Sequence, residues 1–315
     1  MTAAIELIAA PWNLGLRPPA PGHEPGTWRA PHALLAAGLE ARLKPDRLVE
    51  LDRPPYAFDP QPATRIRNGV TLREHTLRLG EAVHTALAAS RFPVVLGGDC
   101  SILLGCLLGA RRRGRCGLVH VDGHSDFRHP GNHDAGTTLG TAAGMDLALA
   151  TGRGELLLTH WPVVGRPLVA DEDVVQIGDR EEDEEAPPVT RFTAQEIQRV
   201  GIAALGERVV RHLERRELDS VWLHVDLDVL DERVLPAVDS PGRPGLDFPQ
   251  LAELVATLSG SGRVVGLDVA IYDPELDPDG AFAPHIVDCL AHALTPLTTT
   301  AETVTPEKAT VETPA

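Results

Sequence analysis

A chain of 315 residues with 43% hydrophobic side chains can bury a full core, and at this length a single α/β domain is the default. The formal net charge of -16 repels phosphate backbones and anionic lipid surfaces, which argues against nucleic acid or membrane partners and for small molecules and cations. No apolar run approaches the ~18 residues of a membrane span, the opening MTAAIELIAAPWN lacks the features of a secretory leader, and Cys100, Cys106, Cys116 and Cys289 show no paired spacing, so a reducing, cytoplasmic setting is expected.

Short apolar runs alternate with segments of helical period, which predicts a three-layer αβα fold around a parallel sheet. Strands are expected at Ile5–Ala9, Arg47–Leu51, Pro93–Leu96, Gly117–Val121, Val174–Ile177, Ser220–Val225 and Arg263–Val269. A long helix is expected from Thr71 to about Ser90, ended by the Phe92-Pro93 step. Arg111, Arg112, Arg113 and Arg115 read as the solvated end of a helix rather than an anion patch. Ile202, Leu205, Val209 and Leu213, then Leu251, Leu254, Val255 and Leu258, form apolar stripes that belong to core-facing helices. Pro11–Ala30 and Phe127–Ala142 read as loops, and the Thr-, Pro- and Glu-rich stretch 295–315 as a disordered tail behind a domain at 1–294.

Three polar clusters follow expected strands: Gly97-Gly98-Asp99-Cys100-Ser101, Asp122-Gly123-His124-Ser125-Asp126, and Asp226-Leu227-Asp228. In an open parallel sheet all three would meet in the crevice beyond the carboxyl ends of the strands. Asp-x-Asp alone is common, but Asp122-x-His124-x-Asp126 places three donors on one side if the segment is extended. Four carboxylates and an imidazole in one crevice repel one another unless a cation neutralises them, and oxygen-rich donors suit Mn²⁺, Mg²⁺ or Fe²⁺. Gly97 and Gly98 read equally as a tight turn leaving a strand, and His120 and His224 either as partners of the site or as ordinary buried histidines.

These motifs resemble those of the ureohydrolase family, which includes arginase, agmatinase, guanidinobutyrase and formimidoylglutamase. The resemblance extends from Gly26-Thr-Trp-Arg-Ala-Pro-His-Ala-Leu-Leu-Ala-Ala-Gly38 to Gly266-Leu-Asp268-Val. It implies an arginase-like fold, two Mn²⁺ ions (one being possible), and assembly into homo-oligomers, trimers or hexamers. It assigns Asp122 and Asp226 as bridging ligands, Asp126 to one ion, and His124 and Asp228 to the other. The reaction it implies is attack of an activated water on a guanidinium or amidine carbon.

Several positions depart from the family pattern. Cys100 stands where the first histidine ligand is usual, as in a branch that hydrolyses N-hydroxyarginine, and reads either as a thiolate ligand or as a buried, inert thiol. Ile271 replaces the glutamate that clasps a guanidinium, and Ala143-Gly144 lacks the catalytic-loop histidine. His133 or His129 is the candidate proton shuttle, with His133 and Asp126 taken as the catalytic residues. Arg128, at a position for the substrate's carboxylate end, suits an acidic group; Asp183, in the acidic run Glu181–Glu185, is the second candidate substrate contact, although such runs usually mark solvated turns. The expected activity is metal-dependent hydrolysis of a non-peptide C–N bond in a linear guanidino or amidino compound other than arginine. The alternatives are a catalytically silent relative serving as a binding or oligomer partner, and a deacylase, for which Tyr272 is the sole plausible anchor.

Overall fold

The computed structural model describes residues 3–129, 139–181 and 187–298. All seven expected strands form, and an eighth joins them: β1 (Ala4–Ala10), β2 (Arg47–Glu50), β3 (Arg91–Gly97), β4 (Cys116–Val121), β5 (Val174–Ile177), β6 (Thr190–Phe192), β7 (Ser220–Asp226) and β8 (Val264–Ala270). They make one sheet in the order β2-β1-β3-β8-β7-β4-β5-β6, with every neighbouring pair parallel. The edge strand β6 is not legible in the sequence, because its three half-buried residues form no apolar run. By contrast β4 and β7 are buried along their whole length, as strands covered on both faces must be.

Helices cover the sheet through apolar stripes. The helix Gly69–Ala88 buries Leu72, Thr76, Leu79, Val83 and Ala86 at intervals of three and four residues. The helix Phe248–Gly260 starts from a capping box in which the Asp247 side chain accepts from Gln250 N–H at 2.8 Å while Gln250 accepts from Asp247 N–H at 3.0 Å. The arginine run closes the helix Ile102–Arg111 as expected: Arg112 pairs with Glu81, Arg113 donates to the Leu87 carbonyl, and Arg115 is bidentate to the buried Asp173. All four cysteines are buried and unpaired.

At the carboxyl end of the chain, Thr295–Thr298 add a helical turn, and Ala3 N–H donates to the Leu297 carbonyl at 2.8 Å. Helical structure therefore runs past Thr295, where the tail is expected to begin; residues 299–315 lie outside the described residues. No helix among the described residues is long and apolar enough to cross a membrane.

Candidate functional site

The polar clusters converge where strand order and register place them. β4 and β7 are neighbours, with His120 opposite His224 and Val121 opposite Val225, so Asp122, just past β4, and Asp226, the last residue of β7, stand side by side at the carboxyl ends of the two strands. Successive side chains of a strand alternate faces, which puts Asp122 above His120 and Asp226 above His224. Gly98 brings the third cluster in. A Cβ there would lie 1.5 Å from the Trp12 carbonyl oxygen, so only glycine permits that approach. Asp99 fixes the turn, accepting from Gly15 N–H and Ser101 N–H at 2.9 Å each. Cys100 then meets Asp226, its thiol donating to Oδ2 at 2.5 Å.

Asp122, His124 and Asp228 present donor atoms that all lie within 4.8 Å of one another, as do Cys100, His224 and Asp226, and His120, Asp122 and Asp126. His124 Nδ1 is 2.8 Å from Asp228 Oδ2. The loop behind it is tied down by Asp122 Oδ1, which accepts from His124 N–H, and by Gln176, which donates to the His124 carbonyl at 2.8 Å. His124, Asp126, Asp226 and Asp228 floor an open cleft, whereas Cys100 and Asp122 lie beneath it, buried.

Burial and mutual repulsion dominate the electrostatics. Loss of solvent, then the charge of Asp228, pushes Asp122 up to about 7. Burial, then the charge of Asp122 for Asp126 and of Asp228 for Asp226, holds these two carboxyls well above the usual carboxylate range, and burial does likewise to the Cys100 thiol. Burial works against the charged form of His124, yet the hydrogen bond and charge of Asp228 carry it up to about 9. Asp122 Oδ2, fully buried, accepts no hydrogen bond among the described residues. Clustered carboxyl oxygens with an unused lone pair and an adjacent imidazole suit a divalent cation, which would displace the protons these groups otherwise hold.

Of the other expected residues, Arg128 stands at the rim, 3.5 Å from Glu181, which also accepts from Ser125 N–H and Oγ at 3.1 Å each. His133 and Asp183 lie outside the described residues. His129 packs edge-on against Phe127. Ile271 and Ala143 form cleft wall. Asp126 and Ile271 both have positive φ, 45° and 75°; for a β-branched residue that conformation is a real cost, and its occurrence at a cleft is typical of functional sites. Tyr272 does not reach the cleft, because its buried hydroxyl donates to Asp277 at 2.6 Å, which removes the anchor of the deacylase alternative. Asp273 and Glu275 close a loop: Asp273 accepts from Gly26 and Glu275 N–H, and Glu275 pairs with His23 and Arg29.

Three residues at the site escape the sequence reading. Arg17 reaches the rim from the loop after β1. Arg180, largely buried, donates to the Asp228 carbonyl at 2.8 Å and lies 3.7 Å from its carboxylate. Asp146 sits against His120 and His224. None belongs to a local motif; the signal available for Asp146 is a carboxylate in the otherwise apolar stretch Met145-Asp146-Leu147-Ala148-Leu149.

A parallel sheet carrying these donors at adjacent strand ends is the architecture of the ureohydrolases, and the comparisons agree. The family model described as "Arginase family" matches residues 3–295. The arginase of Bacillus caldovelox is 30% identical over 290 residues, spanning 87% of this chain and 92% of that enzyme. Its crystal structure superposes with a TM-score of 0.81 at 28% identity, covering 96% of this chain and all of that one. The proclavaminate amidino hydrolase of Streptomyces clavuligerus shares the fold, with a TM-score of 0.68 at 19% identity over 94% of this chain and 92% of that one. The chain belongs to the arginase family, whose members are metal-dependent amidinohydrolases.

Proposed function

We propose that the protein hydrolyses a non-peptide C–N bond in a linear guanidino or amidino compound other than arginine, with two Mn²⁺ ions held by Asp122, His124, Asp126, Asp226 and Asp228. The observation that carries this reading is the grouping of His124, Asp126, Asp226 and Asp228 on one cleft floor, under a wall formed by Ile271. A divalent pair bound there supplies Lewis acidity and an activated water near neutral pH.

The chain's own residues would set charge, orientation and specificity. The carboxylates balance the cations. Arg180 neutralises the outer side of Asp228 and holds its carbonyl, which fixes the direction in which that carboxylate points. His124 would have to release a proton to solvent to offer a ring nitrogen to the cation, and its contact with Asp228 at 2.8 Å orients the ring. Ile271 offers no charge to a guanidinium, which disfavours arginine and agmatine as substrates. Arg17 and Arg128 at the rim instead suit a substrate whose far end bears a carboxylate, with Glu181 orienting Arg128. His133 as proton shuttle and Asp183 as a second substrate contact complete the proposal.

Elemental analysis of the protein purified in Mn²⁺ without chelator, beside an Asp122→Ala/Asp226→Ala variant, tests the metal claim. About two Mn²⁺ per chain, lost in the variant, supports it; a metal-free wild-type protein removes it. A screen for amine or urea release across carboxylate-bearing amidines, arginine and agmatine then tests specificity. One observation favours the silent alternative: among the described residues, His124 is the sole imidazole lining the cleft. Metal retained without turnover on any amidine would decide for that reading.

A further inference from the structure

One level beneath the cleft floor lies a second set of donors. The parallel register sets His120 of β4 against His224 of β7, and His224 against Asp268 of β8, so the three side chains stand abreast on one face of the sheet. The two imidazoles stack with centroids 4.8 Å apart and an interplanar angle of 26°. Asp146, which opens the helix Asp146–Ala150, closes the group with Oδ1 3.2 Å from His120 Nε2 and Oδ2 3.7 Å from His224 Nε2. All four side chains are buried.

The hydrogen bonds on one side of this group leave donor atoms bare on the other. Trp222 Nε1 donates to Asp268 Oδ1 at 2.5 Å, and His224 Nδ1 donates to Asp268 Oδ2 at 2.6 Å. With Nδ1 engaged by Asp268, the ring nitrogen that His224 turns toward Asp146 is Nε2. Neither His224 Nε2 nor Asp146 Oδ2 makes a hydrogen bond among the described residues. Asp122 Oδ2, also without one, stands 3.7 Å from His120 Nε2.

A separation of 3.7 Å is too long for a hydrogen bond. It is close to what a coordinated cation imposes, because ligand atoms about 2.0–2.1 Å from a tetrahedral ion lie about 3.3 Å from each other. A carboxylate gripping the far nitrogen of an imidazole, as Asp268 grips His224, is also how metal-ligating histidines are oriented. Two ring nitrogens with carboxylate oxygens suit a borderline ion such as Zn²⁺ or Fe²⁺, not Mg²⁺ or Ca²⁺.

We propose that His120, His224 and Asp146, with Asp122 Oδ2 as a shared fourth donor, form a further site for a borderline divalent transition cation, beneath the pair expected at the cleft floor. Cys100 deprives the upper cluster of an imidazole, while two imidazoles stand directly below it. One ligand atom each from His120, Asp146 and His224 already lies within 4.8 Å of the other two.

Crystals of the full-length chain equilibrated with Zn²⁺ and measured at the zinc edge test this without a variant. The expected result is an anomalous peak about 2.0–2.2 Å from His120 Nε2, His224 Nε2 and an Asp146 oxygen. Density confined to the Asp122–His124–Asp226–Asp228 cluster overturns this site and leaves the hydrolase reading standing; no density at either place removes both. In solution, the near-isosteric Asp146→Asn should lower bound zinc by about one ion per chain, with circular dichroism confirming that the variant is folded. Unchanged zinc content in the folded variant also overturns the proposal.

Discussion

Cys100 donates its thiol hydrogen to Asp226 Oδ2 across 2.5 Å, so the residue that the resemblance to the family sets at a ligand position is a proton donor to a neighbouring carboxylate. Burial and the surrounding aspartates hold the thiol well above its ordinary range. Binding a cation here therefore requires removing a proton that the site retains, whereas a neutral imidazole carries no such requirement.

Cys100→His is accordingly expected to tighten Mn²⁺ binding, by roughly 10–100-fold on the scale of other changes that tune ligand sets. Overpacking of the buried position should cost about 1–3 kcal/mol in the metal-free protein. Calorimetric titration with Mn²⁺ and urea unfolding of both proteins separate the two effects. An unchanged Mn²⁺ Kd, with the stability loss present, would mean that residue 100 does not reach the ion.

The titrating groups predict the pH dependence of the metal-free protein. Burial raises Asp122 to about 7 and Asp146 to about 8, and the aspartates around them carry His124 and His224 up to about 9 against the effect of burial. A group whose folded pKa lies above its unfolded value stabilises the fold below the unfolded pKa, and that contribution fades as pH rises through the folded pKa. Burial lowers His120 to about 4, which acts oppositely, but its contribution is complete above the ordinary histidine value of about 6.5. From about pH 6.5 to 9 the metal-free protein should therefore lose stability, at about 1.4 kcal/mol per pH unit for each proton that the folded chain still holds and the unfolded chain has lost. Metal binding should strengthen over the same range, because a cation displaces those protons. Thermal melts at several pH values, with chelator and with Mn²⁺, check both trends; parallel curves would show that the cation does not displace these protons.

The sheet and the cleft floor were legible because each leaves a local mark. Central strands such as Cys116–Val121 are mostly apolar runs, and Asp122, His124, Asp226 and Asp228 sit at fixed spacings at or just past strand ends. β6 left no mark, since an edge strand of three half-buried residues gains little from apolar side chains. Asp146 and Arg180 were illegible for a different reason. Each reaches its partners through tertiary placement, Asp146 against β4 and β7 and Arg180 against the carboxylate of Asp228, and no spacing along the chain encodes that.

Gly98 carries a sharper structural prediction. A Cβ at this position meets the backbone oxygen of Trp12 at 1.5 Å, an atom that no rotamer change can move. Gly98→Ala should separate the loop after β3 from the loop after β1, and cost more than about 4 kcal/mol. Soluble yield and the urea midpoint report this. A variant within about 1 kcal/mol of wild type would show that the two loops separate without disturbing the core.

Ile271 offers the most direct test of substrate choice. It lines the cleft, is almost fully buried, and is held at φ 75° by a 2.7 Å hydrogen bond from its N–H to the Gly98 carbonyl. The backbone is thus fixed independently of the side chain, so a different residue should project into the same wall. Ile271→Glu would place a carboxylate there and relieve the β-branched crowding, yet leave a buried charge that only a cationic substrate can pair. Without substrate the variant should lose about 1–3 kcal/mol of stability. Guanidinium compounds should restore part of that loss in thermal melts and bind the variant more tightly than they bind the wild type. If the variant loses stability and arginine or agmatine gives no rescue, the guanidinium carbon does not lie against residue 271 and the assignment of this wall to substrate recognition fails.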